Sequence, residues 1–201
     1  MNEEPAVGAI ILAAGRARRM GMNKLIADLW GKPVILHVVE RVATAHLPPP
    51  VVVVPPDNFS LHAVLRHQDA IFAVSNRSEE GISHSIRAGV EAAPREWVAA
   101  FICLGDMPLV PPHLLREMAL AAGPDSILVP RRKGITGNPV VWGRDYFPRL
   151  TALAGDAGAR RLFVEFADRL VYFDTANEGI HLDIDTPEML EALRCGNPVN
   201  R

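Results

Sequence analysis

Short apolar runs bounded by glycine, proline and polar residues alternate along the chain with stretches whose apolar positions recur at helical spacing. The runs at 7–12, 51–54, 71–74, 97–104, 126–129 and 170–173 predict strands. The stretches at 34–45, 59–66, 114–121, 159–166 and 187–194 predict helices, several opened by proline or by a capping side chain. Residues 29–33 (Leu-Trp-Gly-Lys-Pro) predict a turn before the first helix. Strands alternating with helices are the pattern of βαβ units, so the expectation is an α/β fold with a mainly parallel sheet. Near the end, Leu182 and Ile184 alternate with Asp183 and Asp185, which puts the two carboxylates on one face of an extended segment.

Length and composition narrow this picture. A chain of 201 residues that is 49% hydrophobic can bury one sizeable core, and a single domain spanning residues 1–201 is expected. A formal net charge of −2 argues against nucleic acid as a partner, because binding to a phosphate backbone needs a concentrated basic face. No apolar run approaches bilayer-spanning length and the amino terminus is acidic, so no membrane association and a cytoplasmic location are expected. The two cysteines, Cys103 and Cys195, supply neither a disulfide framework nor a zinc set.

Candidate chemistry concentrates after the first strand. The run ends at Leu12-Ala13-Ala14-Gly15 and enters a loop carrying Arg16, Arg18, Arg19, Gly21 and Lys24. Glycines let backbone N–H groups approach a ligand, and a cluster of cations behind a buried strand suits an anion. Lys24 is one of only three lysines among 21 basic residues. Neither GxGxxG nor GxxxxGK[ST] is present, which disfavours a standard dinucleotide-binding dehydrogenase or a P-loop ATPase.

Four later stretches carry further polar groups. Gly81-Ile-Ser83-His-Ser85 opens a helix with groups able to contact a heterocycle or an anion, and the absence of GxSxG excludes a serine-hydrolase elbow. Asp106 follows the most apolar strand in Gly105-Asp106-Met107-Pro108; an unpaired charge there cannot be core, so it faces a cleft or caps the next helix. Beside phosphate oxygens held by the first loop it would suit Mg²⁺. The cations of Arg131-Arg132-Lys133, closed by Gly134 and Gly137, read either as a second anion site or as a solvated hairpin tip. Asp183 has no helix to cap and is a metal candidate, whereas for Asp185 capping and metal binding weigh equally, with Thr186 an alternative cap.

Together these stretches resemble the signature motifs of the molybdenum cofactor nucleotidyltransferase-like family, most closely its cytidylyltransferases. The first loop is similar to LAAG-x-S-x-RMG-x-x-K, with Ala17 replacing the serine; 81–89 is similar to G-x-x-x-S-[IL]-R-x-G, 105–108 to GD-x-P, 155–160 to GD-x-GAR, and 183–188 to DIDTPE. Asn138 stands where many relatives carry histidine.

The resemblance implies a single Rossmann-like three-layer domain of nucleotide-diphospho-sugar transferase type. It implies transfer of CMP from CTP to the terminal phosphate of molybdopterin, with release of pyrophosphate. Arg19, Lys24 and Asp106 would be catalytic; Leu12, Ala13, Ala14, Gly15, Gly81 and Ser85 would join them in binding nucleotide. Gly137, Asn138, Asp156 and Arg160 would bind the acceptor, and Asp106 with Asp183 or Asp185 would hold Mg²⁺. Ala14 favours CTP, since relatives using GTP tend to carry LAGG. A molybdoenzyme or its maturation chaperone would receive the product. The alternatives are a nucleotidyltransferase of the same fold using GTP or another phosphorylated acceptor, and a non-catalytic module that delivers cofactor.

Overall fold

The computed structural model describes residues 6–15 and 23–196. The chain runs β1 (Ala6–Leu12), β2 (Asp28–Leu29), β3 (Lys32–Pro33), α1 (Val34–Thr44), β4 (Val51–Val54), α2 (Phe59–Leu65), β5 (Ile71–Val74), α3 (Ile82–Glu91) and β6 (Trp97–Leu104). It continues through α4 (Pro112–Leu120), β7 (Ile127–Arg132), β8 (Ile135–Thr136), β9 (Val140–Gly143), α5 (Phe147–Thr151), β10 (Leu170–Asp174) and α6 (Pro187–Cys195). The main sheet has the order β10-β7-β9-β6-β1-β4-β5, with β8 paired to β7. All neighbours on the main path are parallel except β9, which is antiparallel to both β6 and β7.

Strict alternation in the central strands divides the core into two layers. Ala9, Ile11 and Ala13 face the helices α1, α2 and α4, while Ile10, Leu12 and Ala14 face α3 and α5. Val52 and Val54 of β4 follow the first set, and Val51 and Val53 the second. Side-chain period two therefore commits one strand to two hydrophobic layers, which is why these strands read as continuous apolar runs. Gly89 shows how closely the second layer packs: a Cβ there would lie 2.3 Å from Ile10 Cγ2 and 2.9 Å from Val53 Cγ2.

Several expectations change in detail. The strand expected at 126–129 extends through Arg132, because Lys133 and Gly134 both take positive φ, 50° and 80°, and turn the chain back as a tight hairpin into β8. The cations of this hairpin are not gathered around an anion site. Arg131 pairs bidentately with Asp174 at 2.8 Å and lies over the Tyr172 ring, and Arg132 approaches Glu178 at 3.6 Å. The helix expected at 159–166 is a 3-10 turn, Ala159–Phe163; its three-residue period stacks the buried Ala159 and Leu162 on one side. The 182–185 segment is not a strand, although Ile184 is fully buried as the alternation requires. β9 and α5 have no counterpart among the expected elements; α5, at five residues, is too short to show a helical period.

The ribbon β2–β3 anchors the end of the chain. Ala27, Leu29 and Val34 form a third buried cluster with Ile184 and Leu190, and the Trp30 indole N–H donates to the Leu193 carbonyl at 3.0 Å. Among the described residues no helix is long and apolar enough to cross a membrane.

Replacing Gly89 by alanine is expected to lower stability by about 1–2 kcal/mol, the strain of overpacking partly offset by better helix propensity. Urea unfolding monitored by circular dichroism checks this, and an unchanged or raised midpoint would contradict the close helix–sheet contact.

Candidate active site

Parallel pairing of β1 with β6 sets Leu12 beside Leu104, and the Gly105 N–H donates to the Leu12 carbonyl at 3.1 Å. The residues just beyond both strands, Gly15 and Asp106, therefore emerge at one edge of the sheet. Lys24 arrives through a short 3-10 turn, Lys24–Ile26, fixed by the burial of Leu25. Its Nζ lies 2.5 Å from Asp106 Oδ2 and donates to Asp185 Oδ1 at 2.7 Å. Lys24 and Asp106 are largely buried, with side chains 16% and 15% exposed, while Asp185 is half-exposed.

The electrostatics follow from this arrangement. Burial opposes the charge of Lys24, but the charges and hydrogen bonds of Asp106 and Asp185 outweigh it and hold the ammonium pKa above its ordinary value. Burial pushes the Asp183 carboxyl above the usual carboxylate range, and the charges of Asp185 and Asp106 add to the effect. Three carboxylates thus share one region of negative potential. Asp106 is not a helix cap: α4 begins at Pro112 behind Pro111 without a side-chain cap. Nor does Asp185 cap α6, where Thr186 Oγ1 accepts from the Met189 N–H at 3.3 Å. The Ile184 N–H donates to the Asp106 carbonyl at 3.0 Å, stitching the two acidic segments together.

Hard oxygen donors of this kind fit a divalent cation. Among the described residues, however, no group of three or more such side chains converges on a metal-sized point; Asp106 and Asp185 converge on the Lys24 ammonium. Asp183 faces the neighbouring cavity.

Two cavities flank residues 106–107, one lined by Asp106 and the other by Met107. The first, about 460 Å³, is lined by Leu12, Gly15, Lys24, Gly81, Ser85 and Asp106, and also by Ser78, Glu79 and Asp156. The second, about 440 Å³, is lined by Gly137, Asn138, Arg160 and Asp183 together with Met107, Thr136 and His181. Asp106 faces the first and its chain neighbour Met107 the second. Asp156, expected with the acceptor group, lies instead on the first cavity, because the 155–158 loop packs on the start of α3: the Ser83 N–H donates to the Gly155 carbonyl at 3.2 Å. Ala13 and Ala14, each 1% exposed, support the first cavity from within the core rather than lining it.

The Arg160 side chain is exposed, but partial desolvation against the cavity wall lowers its pKa. Its nearest polar contacts are long ones, 3.5 Å to the Thr136 carbonyl and 3.4 Å to Thr136 Oγ1. Arg87, within the stretch that resembles a nucleotide-binding motif, is structural: it donates to the Thr151 and Leu153 carbonyls and ties α3 to the end of α5. Cys103 is buried, and burial pushes its thiol up to about 12, so it offers no nucleophile. Arg19 lies outside the described residues, as do Arg16, Arg18 and Gly21. Ser78, Glu79 and His181 carried no distinctive sequence signal beyond their place in loops around the strand ends.

Residues 9–170 match the MobA-like NTP transferase domain. The chain is 31% identical to the purine catabolism protein PucB of Bacillus subtilis over 202 residues, covering 94% of this chain and 97% of that protein. It is 28% identical to a molybdenum cofactor guanylyltransferase of Vibrio parahaemolyticus, covering 90% and 91%. Its fold matches a nucleotidyl transferase from Methanothermobacter with a TM-score of 0.84 at 22% identity, covering 98% of this chain and 99% of the other.

Gly81 has φ +130°, and a Cβ there would lie 2.2 Å from the Gly155 carbonyl carbon. Gly81→Ala is expected to displace the 155–158 loop and weaken nucleotide binding about tenfold or more, through backbone strain and lost cavity shape. Titration with nucleotide triphosphate measures this; wild-type affinity in a folded variant would refute the role of that contact.

Proposed function

This chain belongs to the MobA-like NTP transferase domain family and is a nucleotidyltransferase; from that premise we propose that it transfers CMP from CTP to the terminal phosphate of molybdopterin. The observation that supports the reading is that neighbouring residues, Asp106 and Met107, line two separate cavities. One is bordered by a strand-end glycine, a buried lysine and the start of a helix, the other by Arg160, Asn138 and Gly137. A nucleotide in the first would have its phosphates near Lys24, with Gly81 and Ser85 beside the base. An acceptor in the second would bring its phosphate toward residues 106–107.

The chemistry needs little beyond positioning. An oxygen of the acceptor phosphate forms a bond to the α-phosphorus, the bond from that phosphorus to the oxygen bridging to the β-phosphorus breaks, and pyrophosphate leaves. A phosphate monoester is largely ionised at neutral pH, so no general base is required. Lys24 follows the charge that moves onto the leaving pyrophosphate, and backbone N–H groups beyond β1 orient the triphosphate; Arg19 would add a planar grip on it. Mg²⁺, held by Asp106 with Asp183 or Asp185, would neutralise phosphate charge when bound. Arg160, lacking an acidic partner among the described residues, suits an anionic or carbonyl group of the acceptor.

CTP is favoured over GTP by Ala14, whose methyl is buried beneath α3. The similarity to a guanylyltransferase favours GTP as the second reading. A molybdoenzyme or its maturation chaperone would take the product from the second cavity.

Incubating the protein with molybdopterin, Mg²⁺ and each triphosphate, then weighing the product, tests the assignment: a molybdopterin–CMP adduct is expected in preference to the GMP adduct. Lys24→Ala and Asp106→Ala are each expected to slow pyrophosphate release by about 10²-fold or more, the scale of losing one electrostatic contact to the transition state. Near-normal release by either variant would end this mechanism.

A further inference from the structure

Lys24 occupies an unusual position for a phosphate-binding cation. Its ammonium sits between two carboxylates 79 positions apart in the chain, 2.5 Å from Asp106 and 2.7 Å from Asp185, with Asp183 close enough to feel the charge of both. A divalent cation bound by these acids would meet the same oxygens, and an ammonium and a divalent ion cannot both lie at contact distance from them without strong mutual repulsion.

We propose that the Lys24 ammonium is a resident counter-ion that closes the acidic niche in the substrate-free protein, so that a divalent cation is admitted only when a triphosphate draws Lys24 away. The inference rests on the reading of the first cavity as the triphosphate site. Lys24 borders that cavity as well as the niche, so a modest swing of a flexible four-carbon side chain exchanges one set of anionic oxygens for the other. Phosphate oxygens arriving in the cavity compete for the ammonium, and Asp106, released from its 2.5 Å contact with Lys24, then presents its carboxylate to the metal. Metal and nucleotide binding become coupled through one side chain, and each must strengthen the other by the same factor. A protein built this way does not hold metal idly in the absence of nucleotide.

The test is a titration of the whole protein with Mn²⁺, following the electron paramagnetic resonance signal of the free ion, without nucleotide or acceptor. Weak binding to wild type is expected, with about tenfold tighter binding to Lys24→Gln and to the apolar, similarly shaped Lys24→Met, because removing the ammonium unmasks the carboxylates. Adding Asp106→Asn to Lys24→Gln should abolish the gain. CTP should raise Mn²⁺ affinity more in wild type than in either lysine variant. Circular dichroism establishes that each variant is folded. The proposal is overturned if both lysine variants bind Mn²⁺ no more tightly than wild type, or if the gain survives loss of Asp106. The metal titration contains no acceptor, so failure to form a molybdopterin adduct would count against the proposed reaction and leave this result standing on its own.

Discussion

The pairing of β1 with β6 is the constraint on which the site depends. Two buried parallel strands in register, Leu12 opposite Leu104, deliver the backbone beyond each of them to one edge of the sheet. The hydrogen bond from the Gly105 N–H to the Leu12 carbonyl carries the pairing one residue past the strand, and the bond from the Ala13 N–H to the Val53 carbonyl does the same on the β4 side. Gly15 and Asp106 are placed by this ladder rather than by their own side chains. Because both faces of these strands are packed, a slip of one residue would turn an entire hydrophobic layer outward, so the register is strongly specified.

Around that fixed edge the fold adds charged groups from distant parts of the chain. Lys24 and Asp185 are 161 residues apart, and they meet because Ile184 and Leu190 bury themselves against the β2–β3 ribbon and the start of α1. An apolar cluster thereby sets an ionic one. Burial of Lys24 and Asp106 makes their mutual attraction matter more than it would in water, and it makes either one costly to leave unpaired. The same economy acts on Arg131 and Arg132, which look equally available in sequence: β10 supplies Asp174 to one of them, and Glu178 follows shortly after for the other.

The two cavities differ in how their walls are built. The first combines strand ends, the opening of α3 and the 155–158 loop, with Gly81 allowing the two backbones to touch. The second is made by the hairpin strand β8, the segment entering β9 and the turn around Ile180 and His181. Its existence follows from the antiparallel strand β9, which lies between β6 and β7; the segment entering it brings Gly137 and Asn138 to the cavity that Met107 lines. Arg160 closes this wall from a 3-10 turn, its guanidinium 5.9 Å above the Phe163 ring.

The amino-acid sequence by itself determined the α/β class, the central strands, the principal helices and the identity of the acidic and basic residues that surround the strand ends. These are written in local periodicity and in turn chemistry, which act between near neighbours. It left open whether Asp106 and Asp185 cap helices or face a cleft, because a carboxylate before a helix satisfies either environment. Tertiary structure decided that: α4 opens on prolines, Thr186 caps α6, and both acids turn to Lys24. It also placed Asp156 on the first cavity and paired Arg131 and Arg132 with Asp174 and Glu178. The physical reason is that a charge is assigned by whichever opposite charge or cavity the strand order brings within a few ångströms, and strand order is a property of the whole packed sheet.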